Sequence, residues 1–358
     1  MKKLTILVGL TIALALTLPC GAEATAAFPG LNGKIAFTTF RDGNGEVYAM
    51  NADGSGPTNL TNHSGLDTVP AWSPDGSRIA FDSLRDGNYE VYVMNADGSG
   101  QTNLTNHAAY DSHPAWSPDG TKVVFESDRD GPFTQLYLMN ADGSGVQRLT
   151  NTQGHDQMAT WSPDGTKIAF VSSRDGGNEV YVMNADGSGQ TNLTNNSAGD
   201  NNPAWSPDGT KIAFQSWRDD DAEIFVMNAD GSAPTNLTNY LAYDDAPAWS
   251  PDGTKIVYET FQAGSSNVHV MNVDGSEQTN LTNHLASDGG PDWQPIPVVT
   301  TVGGVSVDLG EGGATLRAGG SSGGNASFVA AAVASTAVAA LALAGAAWYA
   351  RRRVFGSS

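Results

Sequence analysis

Six tryptophans recur at an almost constant interval along the chain. The spacings between them are 44, 45, 44, 44 and 44 residues. Five of the six begin the phrase Trp-Ser-Pro-Asp-Gly, and the sixth is followed by Gln-Pro. A fixed period of this length indicates a repeat architecture, in which each unit is one supersecondary element that cannot bury its apolar face alone. The tryptophans are Trp72, Trp116, Trp161, Trp205, Trp249 and Trp293.

Each repeat unit has the composition of a small antiparallel sheet. The unit at residues 112–150 contains two turn signals, Ser-Pro-Asp-Gly at 117–120 and Asn-Ala-Asp-Gly at 140–143, with Pro and Gly where tight turns favour them. The runs 122–125 and 136–139 are rich in β-branched and aromatic residues but do not alternate cleanly, which predicts strands covered on both faces. Four such strands per unit, repeated six times and arranged radially, predict a β-propeller.

The phase of the repeat predicts how the ring closes. The chain enters the repeat at residues 33–37 (Gly-Lys-Ile-Ala-Phe), which correspond to a second strand without a first strand before it. It leaves at residues 291–295 (Pro-Asp-Trp-Gln-Pro), which correspond to a first strand without a second strand after it. The two fragments would complete one blade, so the N- and C-terminal strands are expected to pair.

These phrases resemble those of a known family. The run Pro-Ala-Trp-Ser-Pro-Asp-Gly-Thr-Lys-Ile-Ala-Phe, followed by Arg-Asp-Gly and Asn-Ala-Asp-Gly-Ser-Gly, is similar to the WD-like repeat of the TolB-type six-bladed propeller. The resemblance covers residues 33–295 and implies an all-β domain that binds partner proteins, as the periplasmic TolB does. The chain differs from TolB in having no clear α/β domain before the propeller and a predicted membrane anchor after it.

The charge of the chain restricts its partners. Residues 33–295 contain 12 Lys and Arg against 35 Asp and Glu, within a chain of net charge −20. A domain this acidic repels phosphate backbones, which argues against nucleic acid as a partner. Cations or basic protein surfaces are favoured instead, and the alternative is that acidity only keeps an exported protein soluble.

The two ends of the chain predict export and anchoring. Residues 1–27 have the two lysines, apolar run and Ala-Glu-Ala sequence of a signal peptide. Residues 296–327 are rich in Gly, Ser and Val and are predicted to form a flexible stalk. Residues 328–350 are uncharged and long enough for a transmembrane helix, and residues 351–358 would be a basic cytoplasmic tail. The expected location is the cell membrane, with a single span and the propeller on the extracytoplasmic side.

An aspartate precedes every repeat tryptophan by five residues. Sixfold geometry would place these six carboxylates near one mouth of the central channel, with the arginines of the Arg-Asp-Gly phrase on the same face. Two interpretations are open. The aspartates are structural residues paired with arginine, or they line a channel mouth that binds a cation such as Ca²⁺ or a basic group of a partner. The aspartates are Asp67, Asp111, Asp156, Asp200, Asp244 and Asp288, and the arginines are Arg41, Arg85, Arg129, Arg174 and Arg218, with Gln262 in the sixth unit.

The loops that enter each first strand vary among the six units, whereas the two turn phrases barely change. Variable loops on a rigid scaffold are where recognition usually occurs. Their candidate binding residues are Tyr110, His113, His155, Trp217 and Tyr243. No nucleophile or base with an oriented partner stands out, so the chain is predicted to be a protein-binding module and not an enzyme, with no cofactor. The alternatives are a channel-mouth enzyme, such as a polysaccharide lyase or a hydrolase, and a carbohydrate-binding module.

Overall fold

The computed structural model describes residues 30–219, 221–239, 241–262, 264–298, 305–310 and 313–318, the last two ranges by their backbone alone. It contains six four-stranded antiparallel sheets and one separate two-stranded hairpin. The strands are β1 (Gly30–Thr39), β2 (Glu46–Met50), β3 (Thr58–Asn59), β4 (Asp67–Trp72), β5 (Arg78–Ser83), β6 (Glu90–Asn95), β7 (Thr102–Asn103), β8 (Asp111–Trp116), β9 (Lys122–Ser127), β10 (Gln135–Asn140), β11 (Gln147–Arg148), β12 (Asp156–Trp161), β13 (Lys167–Ser172), β14 (Glu179–Asn184), β15 (Thr191–Asn192), β16 (Asp200–Trp205), β17 (Lys211–Ser216), β18 (Glu223–Asn228), β19 (Thr235–Asn236), β20 (Tyr243–Trp249), β21 (Lys255–Gln262), β22 (Ser265–Asn272), β23 (Thr279–Asn280), β24 (Asp288–Pro297), β25 (Val305–Gly310) and β26 (Gly313–Ala318).

The six sheets are the blades of a propeller. Blade 1 has the strand order β24-β1-β2-β3, and blades 2 to 6 follow along the chain as β4–β7, β8–β11, β12–β15, β16–β19 and β20–β23. The first strands of neighbouring blades contact one another around the whole ring, so they surround the central channel. This arrangement confirms the predicted all-β, six-bladed fold.

The middle strands of each blade are covered on both faces, as their lack of alternation predicted. In β5 and β6 all but one terminal residue of each strand are buried. The apolar cores lie between blades. Trp116 of blade 3, for example, packs with Val91 of blade 2 and Phe125 of blade 3, and its indole N–H donates to the carbonyl oxygen of Ala71 at 3.2 Å. A single blade therefore cannot bury its own apolar surface.

The Ser-Pro-Asp-Gly turns are rigid and closely packed. In blade 2, the N–H of Gly76 donates to the carbonyl oxygen of Ser73 at 2.8 Å, and the Asp75 carboxylate accepts bonds from the Ser73 hydroxyl and the Ser77 N–H. Gly76 has a φ of 67°, and a Cβ there would lie 2.3 Å from the Pro295 carbonyl oxygen. Only glycine satisfies both the left-handed conformation and this close approach.

The ring closes as the phase of the repeat predicted. Strand β24 pairs antiparallel with β1, with Ile35 opposite Trp293 and Thr39 opposite Asp288. Trp293 is 3% exposed and belongs to the core that joins blades 1 and 6. Residues from the two ends of the described domain thus form one sheet.

The predicted signal peptide (1–27), transmembrane helix (328–350) and cytoplasmic tail (351–358) lie outside the described residues. Within the segment predicted as a stalk, β25 and β26 pair as a hairpin, with Val305 opposite Ala318. No helix that could cross a bilayer is found in the part of the chain that the structure describes.

Candidate functional site

The propeller has two faces of different chemistry. One face, here called the entry-loop face, carries the loops into each first strand and the loops between second and third strands. The opposite face carries the Ser-Pro-Asp-Gly and Asn-Ala-Asp-Gly turns. All of the predicted site residues lie in the entry loops, at the adjacent end of the first strands, or in the loops that follow the second strands.

The six repeated aspartates are buried, and five of them form an ion pair inside their own blade. Each of these five carboxylates has a side chain with no exposed surface, and its arginine comes from the loop after the second strand of the same sheet. These five residues therefore do not form a ring of free carboxylates at the channel mouth. The nitrogen–oxygen distances are 3.2 Å for Arg41–Asp288, 2.7 Å for Arg85–Asp67, 2.9 Å for Arg129–Asp111, 3.0 Å for Arg174–Asp156 and 3.1 Å for Arg218–Asp200.

Aromatic rings hold each arginine in place. In blade 2, the guanidinium of Arg85 lies 4.6 Å from the ring centre of Tyr92 and 5.6 Å from that of Phe81, and its Nε donates to the Ser83 hydroxyl at 2.8 Å. A guanidinium stacks favourably on aromatic faces while its donors bind a carboxylate. The arginine is thus fixed by three kinds of contact, and its charge is directed to the buried aspartate.

Blade 6 is the exception. Its aspartate, Asp244, is 2% exposed, but Gln262 occupies the position that arginine has elsewhere, and Gln262 is exposed. One carboxylate oxygen of Asp244 has no hydrogen-bond partner. Burial raises the pKa of Asp244 to about 6, and the charges of Asp221 and Asp245 add to the effect. Blade 6 therefore contains an uncompensated buried acid.

His113 lies at the channel between two carboxylates. Its Nδ1 is 3.3 Å from Glu126 Oε1 and 3.9 Å from Asp82 Oδ2. Burial lowers the pKa of His113, but the charges of Glu126 and Asp82 raise it above its ordinary value; burial raises the pKa of Asp82 to about 8. The same carboxylates accept backbone N–H groups of the next blade, from His113 at 2.8 Å and from Met158 at 2.6 Å. This group therefore joins blades 2, 3 and 4.

The two candidate histidines, His113 and His155, have different direct partners. The Nδ1 of His155 accepts the Thr134 N–H at 3.2 Å, and the His155 ring packs edge-on against Phe133. Across the described ranges, no group of three or more His, Cys, Asp or Glu side chains is arranged to hold a metal ion.

The predicted aromatic candidates fall into two separate pairs. Tyr110 packs against Tyr89 with ring centres 5.1 Å apart. Trp217 of blade 5 and Tyr243 of blade 6 meet edge to face at 5.4 Å. Tyr243 is also opposite Phe261 in the β20–β21 ladder.

Further exposed apolar side chains, besides Trp217 and Tyr243, lie on the entry-loop surface of blades 5, 6 and 1. The blade 6 hairpin contacts the entry loop of blade 1, where the Ser266 N–H approaches the Ser287 hydroxyl at 3.5 Å, and the Phe40 N–H donates to the Ser287 carbonyl at 3.1 Å. We call this surface the apolar arc. Its members, with their exposed fractions, are Phe40 (46%), Trp217 (44%), Leu241 (99%), Tyr243 (37%), Phe261 (47%) and Leu285 (96%).

Sequence reasoning found Trp217 and Tyr243 but missed the other four members of the arc. A signal for two of them is present in the repeat. The position just before the arginine varies freely while its neighbours are constant, and in the folded ring all six copies lie on the entry-loop face. Its occupants are Phe40, Leu84, Asp128, Ser173, Trp217 and Phe261.

The closed ring of six four-stranded blades, with five ion-paired aspartates beneath one face, defines the class of protein as a six-bladed β-propeller. The sequence matches the TolB beta propeller domain family over residues 25–159 and 149–243. The chain therefore belongs to the TolB beta propeller domain family, as the resemblance of its repeats predicted.

Solved structures agree with this assignment at the level of the fold. TolB from Acinetobacter baumannii is 24% identical with a TM-score of 0.67, over 74% of this chain and 67% of that one. A candidate TolB from Agrobacterium tumefaciens is 23% identical with a TM-score of 0.60, over 74% and 91%. An oligogalacturonate lyase from Vibrio parahaemolyticus is 16% identical with a TM-score of 0.51, over 73% and 78%. No curated protein sequence matches the chain.

Proposed function

We propose that the chain is an exported, membrane-anchored propeller that binds a protein partner through the apolar arc. The observation that carries the proposal is the position of the arc: of the large apolar side chains exposed on the described domain, most lie on the entry-loop face, and six of them belong to three neighbouring blades. Exposed apolar side chains grouped on one face of a domain favour a protein-binding site there. Aromatic residues such as Trp and Tyr contribute most to binding energy at such interfaces.

Replacing Trp217 and Phe261 by alanine is expected to abolish capture of the partner. Both side chains are nearly half exposed, so the loss would act on binding and leave the fold intact. The measurement is a crosslinking pull-down from cells that produce the full chain. Each large aromatic anchor typically accounts for about 2 kcal/mol or more, so the double variant should bind at least roughly a hundredfold more weakly.

The matched control is Val146→Ala with Val273→Ala, which removes two exposed apolar side chains from the opposite face. That variant should retain the partner. Equal capture by both double variants and the unaltered chain would refute the arc as the binding surface.

Membrane anchoring is supported by the sequence of residues 328–350, which carry no charge and precede three arginines. Removal of residues 328–358 should release the propeller into the soluble fraction, because the described blades contain no helix that could span a membrane. Fractionation after a salt wash measures this. A truncated protein that remains with the membranes would place the attachment elsewhere.

Carbohydrate binding is a second candidate, favoured by a hollow of about 420 Å³ beside Trp217. Its lining includes Asn196, Ser197 and Arg218, so an aromatic face lies next to polar groups, as sugar recognition requires. A glycan array probed with the full chain and with Trp217→Ala separates this function from protein binding. Trp217-dependent glycan signals without any crosslinked protein would favour the carbohydrate.

A further inference from the structure

Blade 6 differs from the other blades at one cross-strand pair. In every blade, the residue after the repeated aspartate lies opposite the residue three positions before the arginine, or before Gln262 in blade 6. Only in blade 6 are both residues carboxylates, Asp245 opposite Glu259. The equivalent pairs are Thr68–Asp82, Ser112–Glu126, Gln157–Val171, Asn201–Gln215 and Gly289–Thr38.

These two carboxylates, which we call the acidic notch, share a sheet face with the arc. Side chains alternate across a strand, so Asp245 and Glu259 lie on the same face as Tyr243 and Phe261. The Tyr243 hydroxyl lies 3.4 Å from Asp245 Oδ2. Both acids are partly exposed.

No basic group among the described side chains neutralises the notch. Neither carboxylate forms an ion pair with a lysine, arginine or histidine of the described residues. Asp245 accepts the side-chain amide of Asn202 at 2.6 Å and the Ala246 N–H at 2.7 Å, and Glu259 accepts the Gly290 N–H at 3.3 Å. Like charges directly opposite each other destabilise an antiparallel pair, and an incoming cation would relieve that repulsion.

We infer that the partner inserts a lysine or arginine side chain into the acidic notch while its apolar residues cover the arc. The inference rests on the proposed function, because the arc supplies the surface that brings the basic group to the notch. The other five blades show that this fold already binds guanidinium groups by combining a carboxylate with flanking aromatic rings. At the notch the same chemistry, two carboxylates beside Tyr243 and Phe261, has no internal arginine.

The test uses phage-displayed twelve-residue peptides selected on the full-length chain in detergent. Selected peptides should be enriched in lysine or arginine next to aromatic or aliphatic residues, and their binding should weaken with added salt. Affinity for the double variant Asp245→Asn with Glu259→Gln should fall roughly tenfold or more. Asn and Gln keep the oxygens that accept the Ala246 and Gly290 N–H groups, so an unchanged melting temperature verifies the fold.

The matched control is Asp82→Asn with Glu126→Gln, which makes the same kinds of substitution at the positions of blades 2 and 3 that are equivalent to Glu259, and it should leave peptide affinity unchanged. Neutral or acidic selected peptides, or equal affinity for the notch variant, would overturn the inference. If Trp217→Ala with Phe261→Ala loses the peptides while the notch variant keeps them, the proposed function stands and only the basic anchor fails. Failure to select any peptide that depends on the arc would contradict the proposed function itself.

Discussion

A chain that ends after Ser287 is expected to lose the folded propeller altogether. It lacks β24, so β1 becomes an unpaired edge and blades 1 and 6 lose the core that contains Trp293. The Asp292 carboxylate that accepts the Trp72 N–H at 2.7 Å is lost as well. Removing one buried tryptophan side chain costs about 3–5 kcal/mol, against a total stability of roughly 5–15 kcal/mol. Circular dichroism on heating should show no cooperative transition.

The control for this truncation is a chain that ends after Val298, which keeps β24 and should melt cooperatively. The stability of the point variant Trp293→Ala should lie between those of the two truncated chains, because this variant retains the backbone pairing between β1 and β24. Identical melting temperatures for the chains ending at 287 and 298 would show that the ring does not need the terminal strand.

Replacing Arg129 by glutamine should destabilise the domain by about 3 kcal/mol, the lower end of the range for breaking a buried ion pair. The change leaves the Asp111 carboxylate, which has no exposed surface, without its countercharge. It also removes the stacking of the guanidinium on Phe125 and Tyr137. For a domain of this size the melting temperature should fall by roughly 6 to 12 °C. Unchanged stability in calorimetry would show that the pair contributes nothing.

The variant Asp244→Asn changes the equivalent aspartate of the blade that lacks the arginine. At pH 7 it should stabilise the domain, whereas Arg129→Gln should destabilise it. Asp244 has no arginine, and its pKa in the folded protein is about 6, above the value of roughly 3.9 for an unfolded aspartate. The folded state therefore binds the proton more tightly, and the contribution of Asp244 to stability falls as pH rises from about 4 to about 6. Asparagine does not ionise, so the variant does not lose this stability as pH rises. Its free energy of unfolding at pH 7 should exceed that of the unaltered chain by up to roughly 3 kcal/mol.

The pH dependence of the difference separates this effect from a general change in packing. Other buried acids with raised pKa values, such as Asp82 and Asp292, contribute slopes of the same sign in both proteins. The difference in unfolding free energy between Asp244→Asn and the unaltered chain should therefore grow between pH 4 and pH 6 and stay constant above. A difference that does not vary with pH would contradict an ionised Asp244 in the folded state at pH 7.

Much of the fold follows from local sequence because the same strand and turn signals occur in six successive repeats. The 44-residue period, the two turn phrases and the phase of residues 33–37 and 291–295 together specify the blade, the number of blades and the closing pair. Glycine turns and β-branched runs act over a few residues, so their structural meaning does not depend on distant parts of the chain. The sequence also indicated that the six aspartates could be either ion-paired or free, because an arginine recurs with five of them.

Only the tertiary structure determined which charged groups are exposed and unpaired, and so could bind a partner. Asp111 and Asp245 are both acidic residues near the start of a first strand, but one is buried against Arg129 and the other is partly exposed beside Glu259. The apolar arc was likewise decided by the ring, which brings residues as distant as Phe40 and Trp217 onto one surface. Spacing along the chain determines strands and turns, whereas exposure and charge compensation depend on which side chains the neighbouring blades bring into contact.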